Sequence, residues 1–301
     1  MKPRLIFLVG PTAAGKTSVS LRLAKEIGAE IVSCDSMQVY RGMDIISSKS
    51  SAADRKSVRH HCVDIVSPRV EFNASRYRLR AMKAIRDILR RGKVPFFVGG
   101  TGLYVSVLVE GIFKTVAVKP AIRERLARIA AKKGSAFLHA RLAKVDPAAA
   151  AKIHPHDARR TIRALEVFES TGTPISVLQA KRKGLWDAYD IHIFCLCPER
   201  ETLNRRIDAR VEAMFREGVV DEVKKLLRGG MSMTSRCAIG IPEVSGYLEA
   251  RCGRAQALEL MKRATRQYAK RQLTWFRKDK RIVWVKNANE ARRKIRAAMK
   301  G

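Results

Sequence analysis

The sequence predicts an α/β protein, a parallel sheet covered by helices, with an α-helical insertion set into it. Three observations predict this. Short, near-continuous apolar runs occur at residues 4–10, 30–36, 91–100 and 189–198, as expected of strands buried on both faces. Several of the stretches between them carry apolar residues at helical spacing, and strands alternating with helices pack as a parallel sheet with covered faces. From Pro120 to Gly172 the chain is rich in Ala, Arg and Lys and shows no strand pattern. The expected division is therefore a core of residues 1–115 and 190–301 and a helical insertion of residues 116–189.

Taken in order, RLIFLVG (4–10) is the first strand and GKTSVSLRLAKEIGA (15–29) a helix, with Val19, Leu23 and Ile27 on one face and Gly28 able to end it. EIVSCDS (30–36) is the second strand. Residues 41–60 are polar and serine-rich and read as a loop, and HHCVDIVSP (60–68) as a short strand or sheet edge. Asn73 can cap a long helix running to Arg91, with Leu79, Met82, Ile85 and Leu89 expected to face inward. VPFFVGG closes the third strand and TGLYVSVLVEG begins another helix. Beyond the insertion, YDIHIFCLCP (189–198) restores strand character. Two amphipathic helices follow, then a last strand candidate, RIVWV (281–285), and a terminal helix.

The 301 residues, 46% of them hydrophobic, suffice for a sizeable core and more than one folding unit. The basic start MKPR runs directly into the first strand and does not read as a targeting segment. No run approaches the roughly 18 apolar residues of a membrane span, so no membrane partner is expected. Six scattered cysteines without a C-x-x-C pair fit a reduced, cytoplasmic chain. The strongest global signal is charge: 61 Lys+Arg against 28 Asp+Glu, a net +33. Such an excess points to a polyanionic partner, nucleic acid foremost. Between Arg254 and Gly301 there are 16 Lys/Arg and 3 Asp/Glu. They are interleaved with apolar residues, the pattern of folded elements with a basic face.

The chemistry-bearing residues begin with Gly10-Pro11-Thr12-Ala13-Ala14-Gly15-Lys16-Thr17. Glycines let the loop curl so that backbone N–H groups converge on phosphate oxygens, and the following helix turns its positive end to the same point. Lys16 adds a full charge, and the Thr17 hydroxyl suits Mg²⁺. Preceded by a strand and followed by a helix, this is a phosphate-binding loop in a P-loop NTPase-like core. Asp35 ends the second strand, where open sheets line their ligand crevice. Gly99-Gly100-Thr101 repeats the strand–turn–helix arrangement. A carboxylate at the end of a further strand, which a nucleotide hydrolase uses to organise Mg²⁺ and water, is missing, since VPFFVGG and HIFCLCP end without one. That leaves a small-molecule kinase or another transferase. His60, His61 and Cys62 are adjacent and point to alternate faces of a strand, so hydrogen-bonded histidines are expected there rather than a metal site.

In the insertion, Arg159 and Arg163 share a helix face that suits phosphate, with Leu165 and Val167 on the packed side. Arg205, Arg206 and Arg210 lie on a later helix, where arginines can close over a leaving phosphate. Tyr268 to Arg277 mixes cations with aromatics, a composition that binds backbone phosphates and stacks on bases, although Leu273 and Phe276 fall at core spacing.

Together these stretches resemble the tRNA dimethylallyltransferase (IPP transferase) family. The likeness covers nearly the whole chain. It is carried by GPTAAGKT, DSMQVYRGMDI, HHCVDIVSP, FFVGGTGLY, DPAAAAKIHPHDARRTIRALEVFESTGTP, RIDARVEAM and YAKRQLTWFR. The resemblance implies transfer of a dimethylallyl group from dimethylallyl diphosphate to N6 of adenosine-37, in tRNAs that read codons beginning with U. It implies that the glycine loop, with Mg²⁺ at Thr17, holds the diphosphate. It also implies that Arg210 joins them in stabilising the leaving diphosphate, that Asp35 takes the amine proton and that Thr101 helps to place the reacting groups. The family's tRNA contacts fall on Asp35, Ser36, Met37 and Gln38, on Thr101, and on Arg123 in the insertion. They continue through Arg159, Arg160, Thr161, Ile162 and Arg163, which with Arg123 are expected to grip the anticodon stem-loop. Further contacts fall on Arg236, Cys237, Ala238, Ile239, Gly240 and Ile241, and then on Lys270, Arg271, Gln272, Leu273, Thr274, Trp275, Phe276 and Arg277. A monomer is expected. Two stretches depart from the family pattern: GMDIISSKS where GMDIGTAKP is usual, and AIGIPEV where AIGYKE or CVGYRE is usual. The competing readings are an adenylate isopentenyltransferase acting on free AMP, ADP or ATP, a small-molecule kinase, and a non-catalytic RNA-binding protein.

Overall fold

The computed structural model describes residues 2–113 and 120–300. It contains two compact units: Met1–Val107 with Trp186–Gly301, and Leu108–Leu185. The boundary expected after residue 115 lies outside the described residues.

The first unit is built on a six-stranded, all-parallel sheet with strand order β3-β2-β4-β1-β5-β6. Its strands are β1 (Arg4–Val9), β2 (Ala29–Cys34), β3 (His60–His61), β4 (Val94–Gly99), β5 (Asp190–Leu196) and β6 (Val283–Val285). The four apolar runs of the sequence thus become the four central strands. The helices of the first part of this unit are α1 (Lys16–Glu26), α2 (Ala52–Ser57), α3 (Ala74–Arg90) and α4 (Gly102–Val109). The last reaches into the start of the second unit.

Leu5 to Val9 are fully buried. On one face Ile6, Leu8, Ile31 and Phe96 pack with Val19 and Leu23 of α1. Phe7 stacks on Phe97 with ring centroids 4.4 Å apart. α3 buries Tyr77, Ala81, Ala84, Ile85 and Ile88. Of the inward stripe expected from the sequence, Ile85 is buried and Met82 and Leu89 are half-buried, but Leu79 is 68% exposed. Tyr77 sets the phase of the helix. Its ring stacks on Tyr104 at 3.8 Å, its hydroxyl donates to the Ser33 carbonyl, and Ala81 and Ala84 let the helix approach the sheet. The segment 41–60 is not wholly loop either. Ser51 and Asp54 form a reciprocal capping box that starts α2.

The second unit contains α5 (Pro120–Lys133), α6 (Ser135–Val145), α7 (Pro147–Ala150), α8 (Ala158–Thr171) and α9 (Ile175–Ala180). Leu126, Leu138, Leu142, Leu165 and Val167 form its core. Asp146 caps α7 through the Ala149 N–H and also accepts from the Ser176 N–H, tying α9 to the same corner.

The first unit then resumes with α10 (Arg200–Arg216), α11 (Val219–Gly229), α12 (Met233–Arg236), α13 (Ile241–Leu248), α14 (Arg254–Phe276) and α15 (Ala288–Lys300). α15 closes the sheet face beside α1 with Ala291 and Ile295.

Candidate active site

The sheet register assembles the site. Val9 of β1 pairs with Gly99 of β4, and Gly99 pairs with Cys34 of β2. Gly10, Gly100 and Asp35 are the next residues on three adjacent strands, so they stand in one row at the carboxyl edge, about 4.8 Å apart per step. Two crossovers bring together segments that lie far apart in the chain. The crevice above the row is a cavity of about 880 Å³.

The glycine loop needs its backbone freedom. Gly10 has φ 142, and a Cβ there would meet the Leu196 carbonyl oxygen at 2.4 Å. Gly15, with φ 95, starts α1. Lys16 folds back over the loop, its Nζ donating to the carbonyls of Gly10 at 2.9 Å and Pro11 at 2.6 Å. Burial, and next the positive Arg210, pull its pKa down to about 8, opposed by the Asp35 carboxylate. Arg210, from α10, is likewise withdrawn from solvent, which lowers its pKa against the pull of Asp35. It donates through Nε to Ser48 Oγ at 2.7 Å. Neither Lys16 nor Arg210 forms an ion pair with a carboxylate among the described residues. Two unpaired cations sharing a cavity with the single carboxylate of Asp35 leave an excess of positive charge, a site for an anion. Arg206, one turn earlier on α10, donates to the Ala14 carbonyl at 3.3 Å.

Asp35 turns the chain at its own position, Oδ1 accepting the Met37 N–H at 2.8 Å. Thr101 holds the adjoining backbone, its Oγ1 accepting the Ser36 N–H at 3.0 Å. Gln272, only 5% exposed, bridges the two glycine loops. Its Oε1 accepts the Thr12 N–H at 2.9 Å and its Nε2 donates to the Gly100 carbonyl at 2.9 Å. Tyr268, one turn earlier on α14, shares hydrogen bonds with Thr101 and Gln272. Burial, then the Asp35 carboxylate, push its pKa up to about 12.

The sequence-selected residues therefore separate. Thr12 to Thr17, Asp35 to Gln38 and Arg210 line one cavity, with Cys237, Ala238 and Ile239 on its wall and Arg271 and Gln272 reaching it from α14. Gln272 and Phe276 are interior residues of α14, and Ala238, Gly240 and Ile241 are buried as well. Lys270, Arg271, Thr274, Trp275 and Arg277 stand exposed, as does Arg236, while Leu273 is half-buried. In the second unit Arg159 and Arg160 are exposed and Ile162 half-buried, whereas Thr161 is completely buried. Arg123 and Arg163 both bind Glu166, at 2.8 and 2.9 Å. His61 pairs with Glu30 at 2.6 Å and His60 with the Val58 carbonyl. Asp64 is bound by Lys49 and Arg55. Sequence reasoning placed Tyr268 in a cation–aromatic stretch suited to RNA but not in this cavity. Its spacing of four from Gln272 on a helix was the available signal.

Known proteins resemble the chain along most of its length. A family model described as "IPP transferase" matches residues 38–279. A tRNA dimethylallyltransferase of Geobacter sulfurreducens is 48% identical over 286 residues, 94% of this chain and 92% of that protein. The crystal structure of a tRNA isopentenylpyrophosphate transferase from Bacillus halodurans aligns with a TM-score of 0.73 and 38% identity, covering 99% and 97% of the two chains. A eukaryotic dimethylallyltransferase acting on tRNA aligns at 0.75 and 32%, over 91% of this chain and 70% of that one.

Proposed function

The chain belongs to the IPP transferase family and has tRNA dimethylallyltransferase activity, forming N6-(dimethylallyl)adenosine at position 37; from that premise we propose how its own residues divide the reaction. One observation carries the assignment. Asp35 shares its cavity with Lys16 and Arg210, two cations that have no carboxylate partner.

The glycine loop and Lys16 hold the diphosphate of dimethylallyl diphosphate, Lys16 exchanging loop carbonyls for phosphate oxygens. Arg210 faces the same group. As the C–N bond forms at C1, the C–O bond to diphosphate breaks. Diphosphate leaves with the electron pair, and the two cations stabilise the charge that develops. The adenine amine is a weak nucleophile because its lone pair is delocalised. Asp35 takes its proton as the bond forms. Thr101 acts through the Ser36 backbone and Tyr268 to fix that corner. The target base must leave its stack to enter the cavity.

Mg²⁺ fits this chemistry. Thr17 and Asp35 offer oxygens on the cavity wall, and no cluster of three or more His, Cys, Asp or Glu competes among the described residues. Mg²⁺ typically takes its remaining ligands from phosphate and water. When bound it would neutralise part of the diphosphate charge.

The tRNA is held by exposed cations: Arg159 and Arg160 on α8, Lys270 and Arg271 with Trp275 on α14, and Arg277 just beyond its end. The helical unit grips the anticodon stem-loop, and the accepted tRNAs read codons beginning with U. The protein works as a cytoplasmic monomer. No described helix is long and apolar enough to cross a membrane.

The test is direct. Purified protein is incubated with unmodified tRNA, labelled dimethylallyl diphosphate and Mg²⁺, and nucleosides are read by mass spectrometry. Prenylated adenosine at position 37 is expected, lost on chelation of Mg²⁺. Label on free AMP and none on tRNA would overturn the reading.

A further inference from the structure

The loop Gly42–Lys49 carries part of the stretch that departs from the family pattern, and it is anchored at several points beside the cavity. Glu222, in the first turn of α11, accepts three consecutive backbone N–H groups: Asp44 and Ile45 on Oε2 at 2.9 and 2.8 Å, and Ile46 on Oε1 at 2.9 Å. Charge-assisted bonds of this kind are strong and directional. Gln38 Nε2 donates to the carbonyls of Ser47 and Ser48. The nearly buried ammonium of Lys49 is held by Asp44 and Asp64. Ser48 sits at φ 45, a conformation that persists in a non-glycine residue only when its surroundings impose it.

Two side chains of this loop face the donor site in different ways. Ser48 accepts the Arg210 Nε–H at 2.7 Å, at the charged end. Ile46, 8% exposed, lies at the apolar end. A Cβ built on Gly240 would meet Met261 Cε at 2.9 Å and Ile46 Cδ1 at 3.0 Å, so Ile46 and Met261 close on the same backbone point. Val211 and Met214, one residue and one turn beyond Arg210 on α10, continue the wall. The cavity therefore turns from cationic to apolar over one turn of α10 and two residues of the loop. In the family pattern the small residue stands at 46 and the large one at 241. Here isoleucine occupies both positions, and of the two only Ile46 lines the cavity.

We propose that this loop, clamped by Glu222, measures the prenyl donor: Ser48 fixes Arg210 against its diphosphate, and Ile46 with Met261 stops its hydrocarbon chain after one isoprene unit. Glu222 is a positioning residue, and Ile46 is the specificity determinant. The proposal rests on the donor reading above and refines it.

The experiment compares kcat/KM for dimethylallyl and geranyl diphosphate with unmodified tRNA as acceptor. The geranyl-to-dimethylallyl ratio rises on the order of tenfold or more in Ile46→Gly, since even one methylene in such a pocket discriminates by that much. It rises less in Ile46→Val, which removes a single carbon and keeps the test alive if the glycine variant does not fold. Glu222→Gln, which never touches the donor, moves the ratio in the same direction, an effect that simple loss of folded protein cannot produce. An unchanged ratio in both Ile46 variants overturns the size limit, and an unchanged ratio in Glu222→Gln overturns the clamp. A wild-type protein that prenylates no tRNA would instead overturn the function itself.

Discussion

The two units put arginine to opposite uses. In the α/β unit, Arg210 is withdrawn into the cavity with a serine hydroxyl as its hydrogen-bond partner, and Asp35 acts on it only through space, without an ion pair. In the helical unit, Arg123 and Arg163 converge on Glu166, whose side chain is 1% exposed. A cation denied an ion pair keeps its field for a substrate. A cation bound to a buried carboxylate balances a charge that the fold could not otherwise tolerate. The residue type is the same in the two places, so what each arginine does is decided by the neighbouring chain.

The sharpest break of this comparison is at Asp35. Asp35→Ala should lower kcat by roughly 10²–10⁴-fold, while the tRNA dissociation constant stays nearly unchanged in a filter-binding assay. A parallel loss of tRNA affinity would mean that the carboxylate mainly holds the acceptor. Arg210→Ala comes next, with a loss on the order of 10²–10³-fold, the scale of removing one preorganised stabiliser of a leaving charge. Lys16 supplies a pH signature. It must be protonated to hold diphosphate, and burial followed by Arg210 has pulled its pKa down to about 8 in the free protein. Donor kcat/KM should therefore fall as pH rises through about 8. At saturating donor kcat should not break there, because bound diphosphate raises the lysine pKa again. Lys16→Arg should remove the break, since guanidinium does not titrate.

These contrasts were only partly legible in the sequence. The central strands were, because burial on both faces demands continuous apolar runs and β1 contains five fully buried residues in succession. The phase of α3 was not. Tyr77 and two alanines set it, and a stripe drawn through Leu79 overlooks what small residues permit. The glycine loop and Asp35 were legible as neighbours because the end of a parallel strand is a defined place. Gln272 was not legible as a bridge. In the sequence it is one polar residue within a basic segment expected to contact tRNA, and only the packing of α14 over both glycine loops buries it. Glu222 carried no local signal at all, since its three partners lie 176 to 178 residues away.

In the helical unit the expected effects are smaller. Replacing Arg159 and Arg160 by alanine should weaken tRNA binding with kcat intact. Its salt dependence should lessen by about one unit of slope for each phosphate that is no longer neutralised. The smallest effect belongs to Arg123→Ala. Arg123 is 63% exposed, and Arg163 remains on Glu166, so the carboxylate is not abandoned and the stability loss should be only about 1 kcal/mol. Removing both arginines should cost roughly 3–5 kcal/mol, because Glu166 is then left buried and unpaired. The two changes should therefore be far from additive in urea denaturation. The single variant also decides what Arg123 is for. If Arg123→Ala weakens tRNA binding as much as Arg159→Ala and leaves the urea midpoint unmoved, its charge serves the RNA, and the division between free and fold-bound arginines does not hold in this unit.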